Sequence, residues 1–187
     1  MQVINFKGQA YPSWQTTGNA ARFAMPFALE VCKGEGLDIG CNRKEWAYPN
    51  ATMVDPAINE YDAMNLPIGE YDYIFSSHCL EHVKESWTNV LDYWLSVIKT
   101  GGHLFLYLPH ISQRYWNIDS NRKHVHQFDG SEIEQYLQSC PVKNVFVSGV
   151  DLNNSFYVVC EKRVEEDFVT QGEWEWNFDE KRWGLRK

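Results

Sequence analysis

Residues 71–108 constrain the fold most tightly, because there two apolar runs flank a helical pattern. Tyr71-Asp72-Tyr73-Ile74-Phe75-Ser76-Ser77 closes on small polar residues, and Leu104-Phe105-Leu106-Tyr107-Leu108 is unbroken by charge. Apolar runs of this length mark strands covered on both faces, as parallel sheets require. Between them Trp87, Val90, Leu91, Trp94, Leu95 and Ile98 recur at helical spacing, with Ser86 placed to cap the helix and Gly101-Gly102 to stop it. Strand, helix and strand of this length make a βαβ unit.

The same alternation extends outward. Gly36-Leu37-Asp38-Ile39-Gly40-Cys41 and Ala51-Thr52-Met53-Val54-Asp55 read as strands, and residues 41–50 between them leave room for one or two helical turns. Ser131-Glu132-Ile133-Glu134 reads as a capping box opening a helix that runs to Pro141. Asn144–Val150 and Ser155–Lys162 are strands joined by the short turn 151–154, so they must pair antiparallel. The chain is therefore expected to be α/β, with a doubly wound sheet and helices on both faces, in a single domain over 1–164. Residues 1–34 read as an N-terminal cap whose helix, marked by Ala20, Phe23, Ala24 and Phe27, is expected to break or kink at Pro26. Tyr11 and Trp14 belong either to the core or over a ligand. Residues 109–128 show no period, and long loops of that kind are usually functional. The tail, 165–187, alternates polar and aromatic residues at Glu173-Trp174-Glu175-Trp176-Asn177-Phe178. That is an extended segment with one aromatic face, for its own domain or for a homodimer.

Composition narrows the function. The 187 residues suffice for one full core, and the net charge of -8 comes without a basic stripe, which argues against nucleic acid as partner. Arg114, Arg122 and Lys123, with His124 and His126, are only a local cluster. The cysteines 32, 41, 79, 140 and 160 are odd in number and contain no C-x-x-C, so neither disulfides nor structural zinc is expected. No signal sequence and no membrane-spanning run is visible, and the expectation is a soluble cytoplasmic protein without a membrane partner.

Ligands of doubly wound sheets lie beyond the carboxyl ends of the strands. Asp38 and Gly40 close one strand there, and a glycine lets backbone approach a ligand. Asp55 closes the next, with a carboxylate able to accept from both hydroxyls of a ribose. Asp62-Ala63 suit an exocyclic amine, and Ser76, Ser77 and His78 close the strand of residues 71–77. Together they suit a nucleoside cofactor. A dinucleotide would need a glycine-rich turn feeding a full helix N-terminus, which residues 41–50 do not supply. His78-Cys79-Leu80-Glu81-His82 also matches the H-x-x-E-H pattern of some zinc proteases. That pattern needs both histidines on one helix face and a third ligand. Because His78 follows directly on a strand, no metal is expected, and Glu81 and His82 read as ties to the neighbouring loops. His124 and His126 form a weak H-x-H pair.

Leu37-Asp38-Ile39-Gly40-Cys41, Asn65-Leu66-Pro67, the run from Tyr71 to Val83, Lys99-Thr100-Gly101-Gly102-His103-Leu104 and His126-Gln127-Phe128 together resemble the motifs of class I S-adenosylmethionine-dependent methyltransferases of the type-11 group. The resemblance covers about residues 35–160. It implies a Rossmann-like sheet of seven strands, mostly parallel with the last antiparallel. It implies S-adenosylmethionine as cofactor, bound by Asp38, Gly40, Asn42, Asp55, Pro56, Asp62, Ala63, Ser77 and His78. It also implies methyl transfer to an acceptor, for which the acidic charge favours a small molecule, a glycan or another non-nucleic-acid group. Asn42 stands where the family has glycine, and Asn tolerates positive φ better than most residues. A hydroxyl acceptor needs a base of near-neutral pKa, and His110 and His126 are the catalytic candidates. The 109–128 loop is expected to form a lid, with Tyr115 and Trp116 lining the acceptor pocket. A rival reading is a non-catalytic binding or scaffold module with the same fold.

Overall fold

The computed structural model describes residues 2–121 and 123–163, and the backbone of 174–177 and 182–185. The elements in chain order are β1 (Val3–Phe6), β2 (Gln9–Pro12), α1 (Ser13–Thr16), α2 (Ala21–Val31), β3 (Gly36–Ile39), β4 (Thr52–Val54), β5 (Tyr71–Ser77), α3 (Trp87–Ser96), β6 (Ile98–Pro109), α4 (Gly130–Gln138), β7 (Val142–Val147), β8 (Ser155–Lys162), β9 (Trp174–Asn177) and β10 (Arg182–Leu185). The main sheet has six strands in the order β4-β3-β5-β6-β8-β7. β3 runs parallel to β4 and β5, and β5 parallel to β6, while β8 is antiparallel to both β6 and β7. The α/β class and the reversed last strand are as expected. Among the described residues the count of seven is corrected to six, because residues 56–70 form turns and add no further strand beside β4.

Period-two burial explains the two-faced sheet. Leu37, Ile39, Ile74, Leu104, Leu106 and Leu108 pack with Val90, Leu91 and Trp94 of α3 and Ile133 and Leu137 of α4. Their neighbours Tyr73, Phe75, Phe105 and Tyr107 face the other way, against Ala24 and Ala28 of α2 and against Tyr48. Each such side chain, fully buried, contributes roughly 1.5–3 kcal/mol. α2 runs unbroken through Pro26. Pro26 is on its exposed face, so the missing N–H falls on the solvent side, while Phe27 sets its ring against Phe105 and Tyr157.

Several boundaries differ from expectation, and β7 spans Val142–Val147 where Asn144–Val150 was expected. α3 ends at Ser96, and Ile98 pairs with Tyr71 as the first residue of β6. The register between the two strands shifts between Tyr71 and Tyr73, so residues 99–102 lie within an irregular stretch of β6 where Gly101 takes φ 78°. The glycine pair shapes a strand irregularity and does not stop the helix. α4 starts two residues early: Asp129, not Ser131, is the cap, its carboxylate accepting from the Ser131 N–H at 2.9 Å. The tail backbone forms an antiparallel hairpin, β9 with β10. Its side chains, and with them the choice between its own domain and a second copy, lie outside the described residues, as does Arg122. No described helix is long and apolar enough to cross a membrane.

Candidate active site at the strand ends

β4, β3 and β5 end side by side, and their carboxyl ends open into a cleft of about 880 Å³. Asp38, Gly40, Asn42, Asp55, Pro56, Asp62, Ala63, Ser77 and His78 all line it. Gly40 takes φ 87°, and a Cβ there would overlap the Cys79 side chain, so glycine is required twice over. Asn42 takes φ 60°, the left-handed conformation its replacement of glycine demanded. The two Asp55 oxygens accept from the Asn42 N–H and the Ala57 N–H, both at 2.8 Å. Asp55 thereby braces the loops on either side of it and keeps further lone pairs for a ligand. Asp62 accepts from the Met64 N–H at 2.7 Å, and the buried Trp94 indole donates to the Ala63 carbonyl at 2.8 Å, which fixes that wall to α3.

Asp38 is buried beneath this end and accepts from the Tyr48 N–H at 2.6 Å. Burial pushes its carboxyl up to about 7, with the Tyr48 amide opposing and the Asp55 charge adding to the rise. Its visible task is to pin the short crossover after β3. The Ser77 hydroxyl and the side-chain amide of Gln15, a residue of α1 that sequence reasoning missed, line the cleft with buried polar atoms that have no protein partner. Such atoms are what a polar ligand satisfies.

The acceptor-side expectations fare differently. His110 does not line the cleft; its Nδ1 lies 2.7 Å from the Ser112 hydroxyl and its backbone bridges to Phe128. His126 is turned away as well, its Nε2 donating to the Glu85 carbonyl at 2.9 Å. In their place stand Glu81, His82, Lys123 and His124. The 109–128 segment does border the cleft through Trp116, but Tyr115 packs on Phe6 and Tyr11 instead. Tyr11 is fully buried, and its hydroxyl accepts from the Arg114 and Tyr115 N–H groups at 2.8 and 3.0 Å, so it fastens the loop and is not over the ligand. The Trp116 indole donates to the Gln15 carbonyl at 3.0 Å. The N-terminal hairpin and α1 thus clamp the 109–128 segment. The Trp14 side chain lies outside the described residues.

The turn Leu80–His82 brings the missed residues together. Its Glu81 carbonyl accepts from the Val125 and His126 N–H groups at 2.8 and 3.2 Å, which draws His124 onto Glu81. Burial holds the imidazoles in their neutral form: His78 is pushed down to about 3 and His124 to about 4, and His82 is lowered too. The same burial raises the Glu81 carboxyl to about 8. His78 takes φ 51° at the end of β5, which swings its ring from the strand toward Ser155, 3.0 Å from Nε2.

A family model described as a methyltransferase domain matches residues 17–140, more than half of the chain. The chain belongs to the methyltransferase-domain family. Solved structures share its architecture. A SAM-dependent methyltransferase from Archaeoglobus fulgidus is 16% identical with a TM-score of 0.58, and the match covers 81% of this chain and 100% of that one. Human N-acetylserotonin methyltransferase, solved in complex with SAM, is 13% identical with a TM-score of 0.58, over 81% of this chain and 53% of that one. Phosphoethanolamine N-methyltransferase 2 from Haemonchus contortus, in complex with S-adenosyl-L-methionine, is 12% identical with a TM-score of 0.57, over 79% and 53%. The methyltransferase domain described here spans about half the length of the latter two. No curated protein matches it by sequence.

Proposed function

We propose that the chain is an S-adenosylmethionine-dependent methyltransferase acting on a small-molecule or glycan acceptor. The observation that carries this reading is the convergence of Asp38, Gly40, Asn42, Asp55, Asp62 and Ser77, from four separate segments, on one cleft at adjacent strand ends. Family membership and the cofactor-bound neighbours support the choice of cofactor. The residues fit that group: two carboxylates with spare lone pairs, a glycine backbone without a Cβ in the way, and unpartnered Ser77 and Gln15 atoms on the wall. Asp55 would hold the ribose hydroxyls, Asp62 and Ala63 the adenine amine, and the 40–42 loop and Ser77 the amino-acid part.

The cofactor supplies a methyl group on a positively charged sulfur, so positioning carries most of the catalysis. Clamping the 109–128 segment by Tyr11 and Gln15 keeps Trp116 in place and helps exclude water. His82 and His124 line the wall that an entering hydroxyl or amine would meet. The net charge of -8 favours an acceptor other than nucleic acid. The left-handed Asn42 removes the main argument for a scaffold protein, since the departure from glycine leaves the loop's conformation intact.

The test is thermal shift with S-adenosylhomocysteine. A saturating ligand at about 100 times its Kd should stabilise by about 2.7 kcal/mol, and Asp55→Ala should erase the shift. A wild-type melting curve that does not move with ligand would refute the proposal.

A further inference from the structure

Glu81, His82 and His124 each offer one ligand atom, and these atoms lie within 4.8 Å of one another on the wall of the cleft. The Glu81 carboxylate is wholly buried, and neither of its oxygens has a hydrogen-bond partner. Its Oε1 stands 3.9 Å from His82 Nε2 and 4.0 Å from His124 Nε2. Buried without a donor, this carboxyl is held either by a proton, which leaves its oxygens unpaired in the fold, or by a cation in that proton's place. His82 Nδ1 lies 3.0 Å from the Lys123 carbonyl and must donate to it. That bond fixes the tautomer and leaves the Nε2 lone pair directed at Glu81, the outer-shell arrangement that orients metal-bound histidines.

We propose that Glu81, His82 and His124 bind a divalent transition-metal ion of the zinc class at the acceptor end of the cleft. Two imidazoles and one carboxylate suit zinc and disfavour magnesium and calcium, which take oxygen ligands. Bonds of about 2.1 Å in a tetrahedron place ligand atoms about 3.4 Å apart, so closure from 3.9 and 4.0 Å takes only side-chain adjustment. Three protein ligands leave a position open, as in catalytic rather than structural sites. The assignment of that position to the acceptor rests on the methyltransferase reading, whereas the metal site itself does not. His78 Nδ1, 3.6 Å from the same Glu81 oxygen, borders the group but is held at Nε2 by Ser155.

The experiment strips the full-length chain with chelator and titrates it with Co²⁺, followed by visible absorption, and with Zn²⁺ in competition. One equivalent should bind, and Glu81→Gln, His82→Ala and His124→Ala should each weaken it at least tenfold. Millimolar Mg²⁺ should not compete. His82 has 35% of its side chain exposed, so His82→Ala is the variant that keeps the fold, checked by its melting curve. The S-adenosylhomocysteine shift is read in the same samples and should survive in Glu81→Gln, which separates failure of the metal site from failure of the cofactor reading. Absence of stoichiometric binding by the wild type, or binding unchanged in His82→Ala and His124→Ala, would overturn the proposal.

Discussion

Asp38→Asn should change how the protein's stability depends on pH. In the folded chain the Asp38 carboxyl titrates near 7, against an ordinary value of 3.8, because the side chain is 2% exposed. Between those values the folded state holds a proton that the unfolded state has lost. Stability must therefore fall as pH rises from about 4 to about 7, and level off above. At about 1.4 kcal/mol per pH unit, the gap from 3.8 to about 7 is worth about 4 kcal/mol. Asparagine cannot ionise, and its side-chain carbonyl can still accept from the Tyr48 N–H. The variant should match the wild type near pH 3 and exceed it by up to about 4 kcal/mol at pH 8. Urea unfolding of both proteins across that range gives the difference directly, and groups that do not sense the Asp38 charge cancel in the subtraction. Parallel curves would mean that Asp38 ionises normally and that its burial is not what the packing indicates.

Gly40→Ala must adopt φ 87° and displace Cys79, costing about 2–4 kcal/mol by denaturant unfolding and removing the S-adenosylhomocysteine shift. Trp94→Phe leaves the Ala63 carbonyl without its donor and opens space under α3; a loss of about 2–3 kcal/mol is expected, with weakened ligand binding on the Asp62 side. His110→Ala and His126→Ala, whose rings are hydrogen-bonded away from the cleft, should leave the ligand-induced melting shift unchanged, and a lost shift would return either residue to the site.

What could be read from the chain alone was local. Apolar runs, the Trp87–Leu95 stripe and small or acidic residues at strand ends are written in consecutive positions, so the α/β class and the residues lining the cleft at the strand ends were legible. Element ends were less so. Whether Ile98 prolongs a helix or opens a strand depends on Tyr71 pairing with it, and whether Pro26 breaks α2 depends on which face meets solvent. The histidine end of the cleft was legible only in part: Glu81 and His82 do tie their turn to the 123–126 loop, as read, but that this brings His124 to them was not visible. His82 and His124 meet because the Glu81 carbonyl accepts from Val125 and His126, while Ser112 and Glu85 draw His110 and His126 away. Backbone bonds between distant segments leave no periodic trace in a sequence. The strand tips were therefore decided by residue order, and the histidines that face the cleft only by folding.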